Sequence, residues 1–254
     1  ARVLPTETKV FELDYAKDLT HGLELFVELG CQNCHAVDQY DKLFRVAPEL
    51  NKVGNKVRTA WLVDWLKNPF DYMPNSRMPN FRFSDDDAVA LASYLVANSV
   101  PHQISHQKNL PGNAINGRRL FDTVGCAGCH SAAGDASSYA VRSRAPNLSR
   151  LSAKVQSAAW VYDWIKDPKN YSAHARMPSL RLTDQEASDI TAYLMGQNSG
   201  YAGEIAKRSG ELAKRVDAHD QDLIDRGRKI IGERGCYSCH LLKGFEKGER
   251  IGPS

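Results

Sequence analysis

Cys31-Gln32-Asn33-Cys34-His35, Cys126-Ala127-Gly128-Cys129-His130 and Cys236-Tyr237-Ser238-Cys239-His240 decide how this chain is read. The three stretches use all six cysteines of a 254-residue sequence. In each, two thiols stand three positions apart and an imidazole follows at once. The residues before and after each stretch recur as well, so the chain is organised around these motifs.

C-x-x-C-H is the attachment signature of a c-type haem. Two thiols at this spacing form thioethers to two vinyl groups on one edge of a porphyrin. The adjoining His then reaches the iron as proximal ligand, a role that suits a neutral imidazole. The expected cofactor is therefore haem c, in three covalently attached copies. Cys31, Cys34, Cys126, Cys129, Cys236 and Cys239 carry the attachment, and His35, His130 and His240 bind iron. Three rival readings fit less well. Zinc ribbons pair two C-x-x-C knuckles, whereas each copy here has His directly after its second Cys. A thioredoxin-like motif needs a βαβ setting, of which the sequence shows no sign. A disulfide framework gives no reason for the adjoining His.

Working outward, each motif has the same lead-in: Gly22-x-x-Leu25-Phe26 to Gly30, Gly117-x-x-Leu120-Phe121 to Gly125, and Gly227-x-x-Ile230-Ile231 to Gly235. Small and apolar residues at i, i+3 and i+4 predict the last turns of an amphipathic helix, and the Gly before the first Cys predicts its stop. Repeats one and two also match downstream. Pro48 pairs with Pro146, Trp61 and Trp65 with Trp160 and Trp164, Tyr72 with Tyr171, Arg77-Met78-Pro79 with Arg176-Met177-Pro178, and Tyr94-Leu95 with Tyr193-Leu194. Such self-similarity sets the organisation before any local assignment.

The spacing predicts short amphipathic helices over 61–67 and 160–166, ended by Asn68-Pro69 and Asp167-Pro168, because proline cannot continue a helix. Ser84-x-x-Asp87 and Thr183-x-x-Glu186 are capping signals that predict closing helices over 85–97 and 184–196. Between them lie loops of about 15 residues, long enough to expect a task for them. Residues 99–115 read as irregular. Residues 203–234 are charged, with apolar residues spaced for one or two helices.

A haem iron bound by His has one axial position left, and Met is a common second ligand in cytochromes c. Met78 and Met177 hold matching places in the long loops, each between Arg and Pro, and are the expected distal ligands. Met73 and Met195 have no counterpart and read as core filler. His174 competes with Met177, but its counterpart is Asn75. His21, His102, His106 and His219 have no repeat partner and read as surface or linker residues, with ligation of the third haem the alternative for one of them.

Composition sets bounds. Hydrophobic residues at 42% and charged residues at 25% are ordinary for a globular chain. A formal net charge of +3 with scattered basic residues does not point to nucleic acid. No apolar run approaches the roughly 20 residues of a membrane helix. The opening Ala1-Arg2-Val3-Leu4-Pro5 is no signal peptide, so the expectation is a removed leader or a piece of a longer chain.

With these motifs in this order, the sequence resembles the class I cytochrome c family, present in tandem. The resemblance implies an all-α fold of tandem haem-binding domains: a module over 1–104 with His35 and Met78, a second over 105–202 with His130 and Met177, and a helical linker with the first part of a third over 203–254. It implies that Pro48, Pro146 and Pro253 offer carbonyls to the proximal imidazoles. Pro253 follows His240 at the same distance as Pro48 follows His35. Trp61, Trp160, Arg45 and Arg144 are candidates for the haem propionates, with core packing for Trp and a solvated surface for Arg as the alternatives. The third copy lacks its Trp helix, Met loop and closing helix, so the expectation is completion by further chain or by a partner, or failing both an open or His-filled iron.

The resemblance further implies a multihaem carrier of single electrons rather than an enzyme. It would run between a respiratory or membrane-associated donor and an acceptor, in the bacterial periplasm. Its partners would be redox proteins, such as a membrane-bound quinol-oxidising complex or a terminal reductase or oxidase. The alternatives are a redox subunit of a larger complex, or a haem enzyme of peroxidase or sulfur-compound-oxidising type with the third haem as its open site.

Overall fold

The computed structural model describes residues 15–29, 31, 47–74, 76–104, 111–132, 145–173, 175–197 and 200–246. Helix α1 spans Tyr15–Leu29. Then follow α2 (Val53–Lys56), α3 (Thr59–Lys67), α4 (Pro69–Tyr72) and α5 (Asp85–Ala97). Helix α6 (Ala114–Thr123) leads into a 3-10 turn at Cys126–Gly128. Next come α7 (Leu151–Lys154), α8 (Ala158–Lys166), α9 (Pro168–Tyr171) and α10 (Asp184–Gly196). Helices α11 (Tyr201–Ala213), α12 (Gln221–Arg234) and α13 (Cys236–Cys239) complete the order. The described residues form an all-α architecture, and their one strand-like contact is an antiparallel bridge between Val57 and Val155.

Local chemistry sets the boundaries. The Ser84 hydroxyl accepts from the Asp87 backbone N–H, and α5 opens with Asp85, Asp86 and Asp87, whose charge suits a helix N-terminus. Thr183 and Glu186 close a full capping box on α10. Both closing helices have the bounds read from the sequence. The long loops differ from expectation, because each starts with one helical turn, α4 or α9. Pro occupies the first helical position, and the Asn68 or Asp167 side chain accepts from the N–H two residues on.

The second repeat folds on itself. Helix α6 crosses α10 so closely that a Cβ on Gly117 would meet the Asp189 carbonyl oxygen at 1.9 Å. Around that crossing pack Leu120, Phe121, Trp160, Val161, Ile190 and Leu194.

The first repeat does not close in the same way. Its closing helix α5 is crossed by α12, the lead-in of the third motif, at the equivalent point. A Cβ on Gly227 would meet the Ala90 carbonyl oxygen at 2.3 Å. Ile230, Ile231 and Leu242 join one core with Trp61, Leu62, Leu66, Leu91 and Tyr94. Helix α5 is buried on all sides from Ala88 to Leu95, as a helix flanked by both α3 and α12 must be. Helix α1 carries exposed Leu19 (62%), Leu23 (43%) and Leu25 (41%), and a Cβ on Gly22 would have open space around it.

The packing thus groups the chain differently from the contiguous divisions 1–104, 105–202 and 203–254. An outer module joins 47–104 to 200–246, and an inner module holds 111–197. The physical reason lies in residues that α1 cannot match. In register with Gly227, Arg226 reaches Asp87 at 2.7 Å where α1 has His21. Tyr237, where the first motif has Gln32, stacks on Phe245 (5.5 Å, 10°), and Phe245 meets Tyr94 edge-on. The ion pair is exposed and selects register more than it stabilises. The aromatic burial contributes most of the preference.

The two modules meet across a pseudo-twofold axis. Arg58 N–H donates to the Lys154 carbonyl and Gln156 N–H to the Lys56 carbonyl, both at 2.9 Å. Tyr171 Oη donates to the Lys52 carbonyl (2.7 Å) and Tyr72 Oη to the Arg150 carbonyl (3.0 Å). Lys52 Nζ and Arg150 Nη1 return the bond to the Tyr171 and Tyr72 carbonyls.

Candidate functional site

In each module the imidazole of a C-x-x-C-H motif is held by a proline carbonyl. Gly125 (φ 105) and Gly235 (φ 62) take the left-handed backbone that turns the chain from lead-in helix into motif. The Cys126 carbonyl then accepts from the His130 N–H (2.8 Å), and the Cys236 carbonyl from the His240 N–H (3.0 Å). His130 Nδ1 lies 2.7 Å from the Pro146 carbonyl oxygen. A carbonyl only accepts, so Nδ1 carries the hydrogen and Nε2 is left with a lone pair for a metal.

His240 makes the same bond with a different partner. Its Nδ1 lies 2.8 Å from the carbonyl oxygen of Pro48. Ala47 and Leu50 N–H groups donate to the Cys239 and Leu241 carbonyls, as Leu148 N–H does to Ser131 in the inner module. Pro48 was expected to serve His35, and Pro253 to serve His240. In the structure the third motif takes the Pro48 acceptor and joins the core that holds Trp61 and, at its edge, Met78. Burial pushes both imidazoles below the usual His range, and the Pro carbonyls oppose this in part. Burial also pushes the Cys236 thiol up, to about 11. Cys31 is half-buried at the end of α1. Cys34, His35, Arg45, Arg144 and Pro253 lie outside the described residues, as do His106 and His174.

The distal side is built twice from the same parts. Trp61 and Trp65 stack at 5.2 Å, and Trp160 and Trp164 at 5.5 Å. Tyr72 and Tyr171 stand edge-on to these pairs. The second indole of each pair donates Nε1–H to sulfur: Trp65 to Met78 Sδ at 2.9 Å, and Trp164 to Met177 Sδ at 3.1 Å. Both methionines are half-buried at the aromatic cluster. Sequence reasoning passed over Trp65 and Trp164 as donors. The visible signal was their constant distance of 13 residues from the Met in both repeats. Among the described residues the first indole of the outer pair, Trp61, has a buried Nε1 without a hydrogen-bond partner.

Two buried carboxylates back these clusters. Asp64 on α3 receives Arg208 Nε (3.0 Å) and Nη2 (2.8 Å) and the Ser209 hydroxyl (2.9 Å) from α11. Its counterpart Asp163 on α8 lies 3.3 Å from His102 Nε2. The linker read as irregular and the one read as spaced for one or two helices thus each supply a partner to a carboxylate of a Trp helix.

These residues fit a haem. Nδ1 of His130 and of His240 is held by a proline carbonyl, each module has a loop thioether bonded to a Trp indole, and among the described residues the buried Trp61 N–H lacks an acceptor, which a haem carboxylate would supply. Comparison with known proteins agrees. The family model described as Cytochrome c matches residues 114–198, and the one described as Cytochrome C oxidase, cbb3-type, subunit III matches 17–95. These are class I c-type cytochrome domains in tandem. The cytochrome is 35% identical over 97 residues to Cytochrome c oxidase subunit 2 of Bacillus subtilis, covering 33% of this chain and 26% of that protein. It is 28% identical over 113 residues to the Cbb3-type cytochrome c oxidase subunit CcoP of Helicobacter pylori, covering 44% and 37%. It therefore spans 26% to 37% of the length of these curated relatives. No solved structure matches. Cytochrome c domains are of a kind that hold haem c covalently.

Proposed function

We propose that this cytochrome carries three haems c and relays single electrons to or within a membrane-bound terminal oxidase complex, on the extracytoplasmic (periplasmic) side of a bacterium. The observation that carries the reading is the duplicated frame: a Pro-anchored imidazole and a Trp-anchored methionine, built once on His130 and Met177 and once on His240 and Met78. The oxidase assignment is supported by the names of the two relatives. Among the described residues no helix is long and apolar enough to cross a membrane.

When bound, haem supplies a one-electron iron couple. His130 and His240 offer Nε2 on one side, and Met177 and Met78 offer sulfur on the other. A haem held by one of these imidazoles and one of these thioethers would have no ligand position left for substrate, which suits electron transfer rather than catalysis. The Pro146 and Pro48 carbonyls hold the imidazoles in one tautomer and orientation. The stacked indoles and edge-on tyrosines keep water from the distal side.

With the Pro48 carbonyl used by His240, we assign the haem of Cys31, Cys34 and His35 to contact with a partner. A second reading pairs His35 with Met78 and leaves His240 for another segment. The continuous family match over 17–95 favours it.

The pyridine haemochrome count and the optical spectrum of the purified protein test the function. Three haems, two with the weak red band of Met-bound ferric iron, are expected, with carbon monoxide binding at one reduced haem at most. Carbon monoxide binding at two or three haems would favour a haem enzyme, and a count of zero would end the proposal.

A further inference from the structure

Lys56 and Lys154 occupy equivalent positions, in Lys56-Val57 and Lys154-Val155, beside the bridge on the pseudo-twofold axis. Each crosses to the other module. Lys56 Nζ lies 4.7 Å from the Trp160 ring centroid and 5.3 Å from that of Trp164. Lys154 Nζ lies 4.5 Å from the Trp61 ring centroid. Among the described residues neither ammonium has a carboxylate within ion-pair distance. Burial pushes Lys56 down to about 8, and burial with repulsion from Lys56 pushes Lys154 down to about 7.

A contact with an aromatic face recovers only part of what an ammonium loses on leaving water. Two half-buried cations, each over an aromatic cluster of the other module, therefore call for two anions. The rings they cover belong to the Trp pairs of the haem frames, and Trp61 Nε1 is buried there without an acceptor. One ligand satisfies the orphaned indole N–H and the ammonium above it together: a buried carboxylate entering from the haem side.

We propose that Lys56 and Lys154 bind haem propionates in trans, each lysine holding a carboxylate of the haem in the opposite module. Lys56 then serves the haem of His130, and Lys154 the haem of His240. This rests on the haem reading above and adds to it a crossed charge clamp at the module seam. Each haem's affinity for its electron is set in part by a residue of the neighbouring module, since a cation beside the propionate favours ferrous iron.

Lys56→Gln and Lys154→Gln in the full haem-loaded chain test it by potentiometric titration. Met78→His and Met177→His reference proteins assign each potential, because replacing a Met ligand by His lowers that haem's potential. The haem count comes first: attachment through cysteine leaves it unchanged, and absence of haem in the parent protein would sink the haem reading instead. Lys56→Gln is expected to shift the His130 haem about tenfold toward ferric, or about 59 mV lower, and Lys154→Gln the His240 haem. Lys→Arg variants should keep most of the parental potential. A shift on the lysine's own haem, a shift below twofold on both, or equal shifts for Gln and Arg would overturn the proposal. Should a Gln variant misfold, the parent protein answers by 15N NMR of the lysine Nζ groups. Two protected ammonium signals still protonated at pH 10 support the clamp, and titration near pH 7–8 overturns it.

Discussion

Trp164 shows how a single N–H is aimed at a reactive atom. Its indole lies between Trp160 and Tyr171, so the ring cannot turn, and its hydrogen meets the Met177 sulfur at 3.1 Å. Drawing electron density from the thioether weakens its donation to ferric iron more than to ferrous iron, and so raises the potential. Trp164→Phe keeps most of the packing and removes the donor. The loss of about 1 kcal/mol of hydrogen bond is expected to lower the potential of the His130 haem by about fivefold in the ferric–ferrous equilibrium, read by spectroelectrochemistry. An unchanged potential would reduce the N–H to packing. Arg82 (φ 54) and Arg181 (φ 52) hold left-handed backbone at matching places after the Met loops. Nothing in the sequence announced this, since arginine is not among the residues enriched there.

Among the elements, the contest between α1 and α12 for the same face of α5 is the decisive one. The Gly227→Val side chain would run into the Ala90 carbonyl, whereas Gly22→Val meets open space. Gly227→Val is therefore expected to cost several kcal/mol, as overpacking does at a close crossing, and to remove the red Met–iron band of one haem. Gly22→Val should leave both bands and the thermal midpoint within a degree or two. The opposite outcome would return Met78 to His35. Helix ends, repeat register and the Met loops were legible in the sequence because caps and prolines act within a few residues. The choice of lead-in helix was not. Gly-x-x-apolar-apolar is the same in all three copies, and what separates them, Arg226 on Asp87 and Tyr237 on Phe245, involves residues that meet only after folding. Lys56 and Lys154 were overlooked because a lone lysine in a short helix reads as surface charge. Their equivalence between the two repeats was the available sign.

For the whole molecule, the seam links charge to stability. Without an anion, Lys56 and Lys154 sit at about 8 and 7 when folded, against about 10.4 in the unfolded chain. Between pH 7 and 10.4 the unfolded chain would then hold more protons, and stability would rise with pH across that window. Carboxylates beside both ammonium groups raise the folded values and remove the slope. Tyr171 and, near it, Glu49 also border the seam; the tyrosine is held up by burial and by Glu49, and stays neutral over this range. The thermal midpoint of the haem-loaded protein should therefore be flat between pH 7 and 10. A steady rise would mean that the lysines lack anions.

The nesting of one module within the other also fixes an order of events during synthesis. The inner module is complete once residue 197 has been made. Residues 47–104 must by then have waited through the making of that module for their missing helix, which arrives only at 221–234. As the chain emerges N-terminus first, the apolar face of α5 is without its native cover, and the first lead-in helix is the nearest substitute in sequence. The inner module, once folded, holds its two ends in place and reduces the entropy of closing the outer one. The packing therefore favours closure from the middle outward, with the outer module completed by the segment that arrives last.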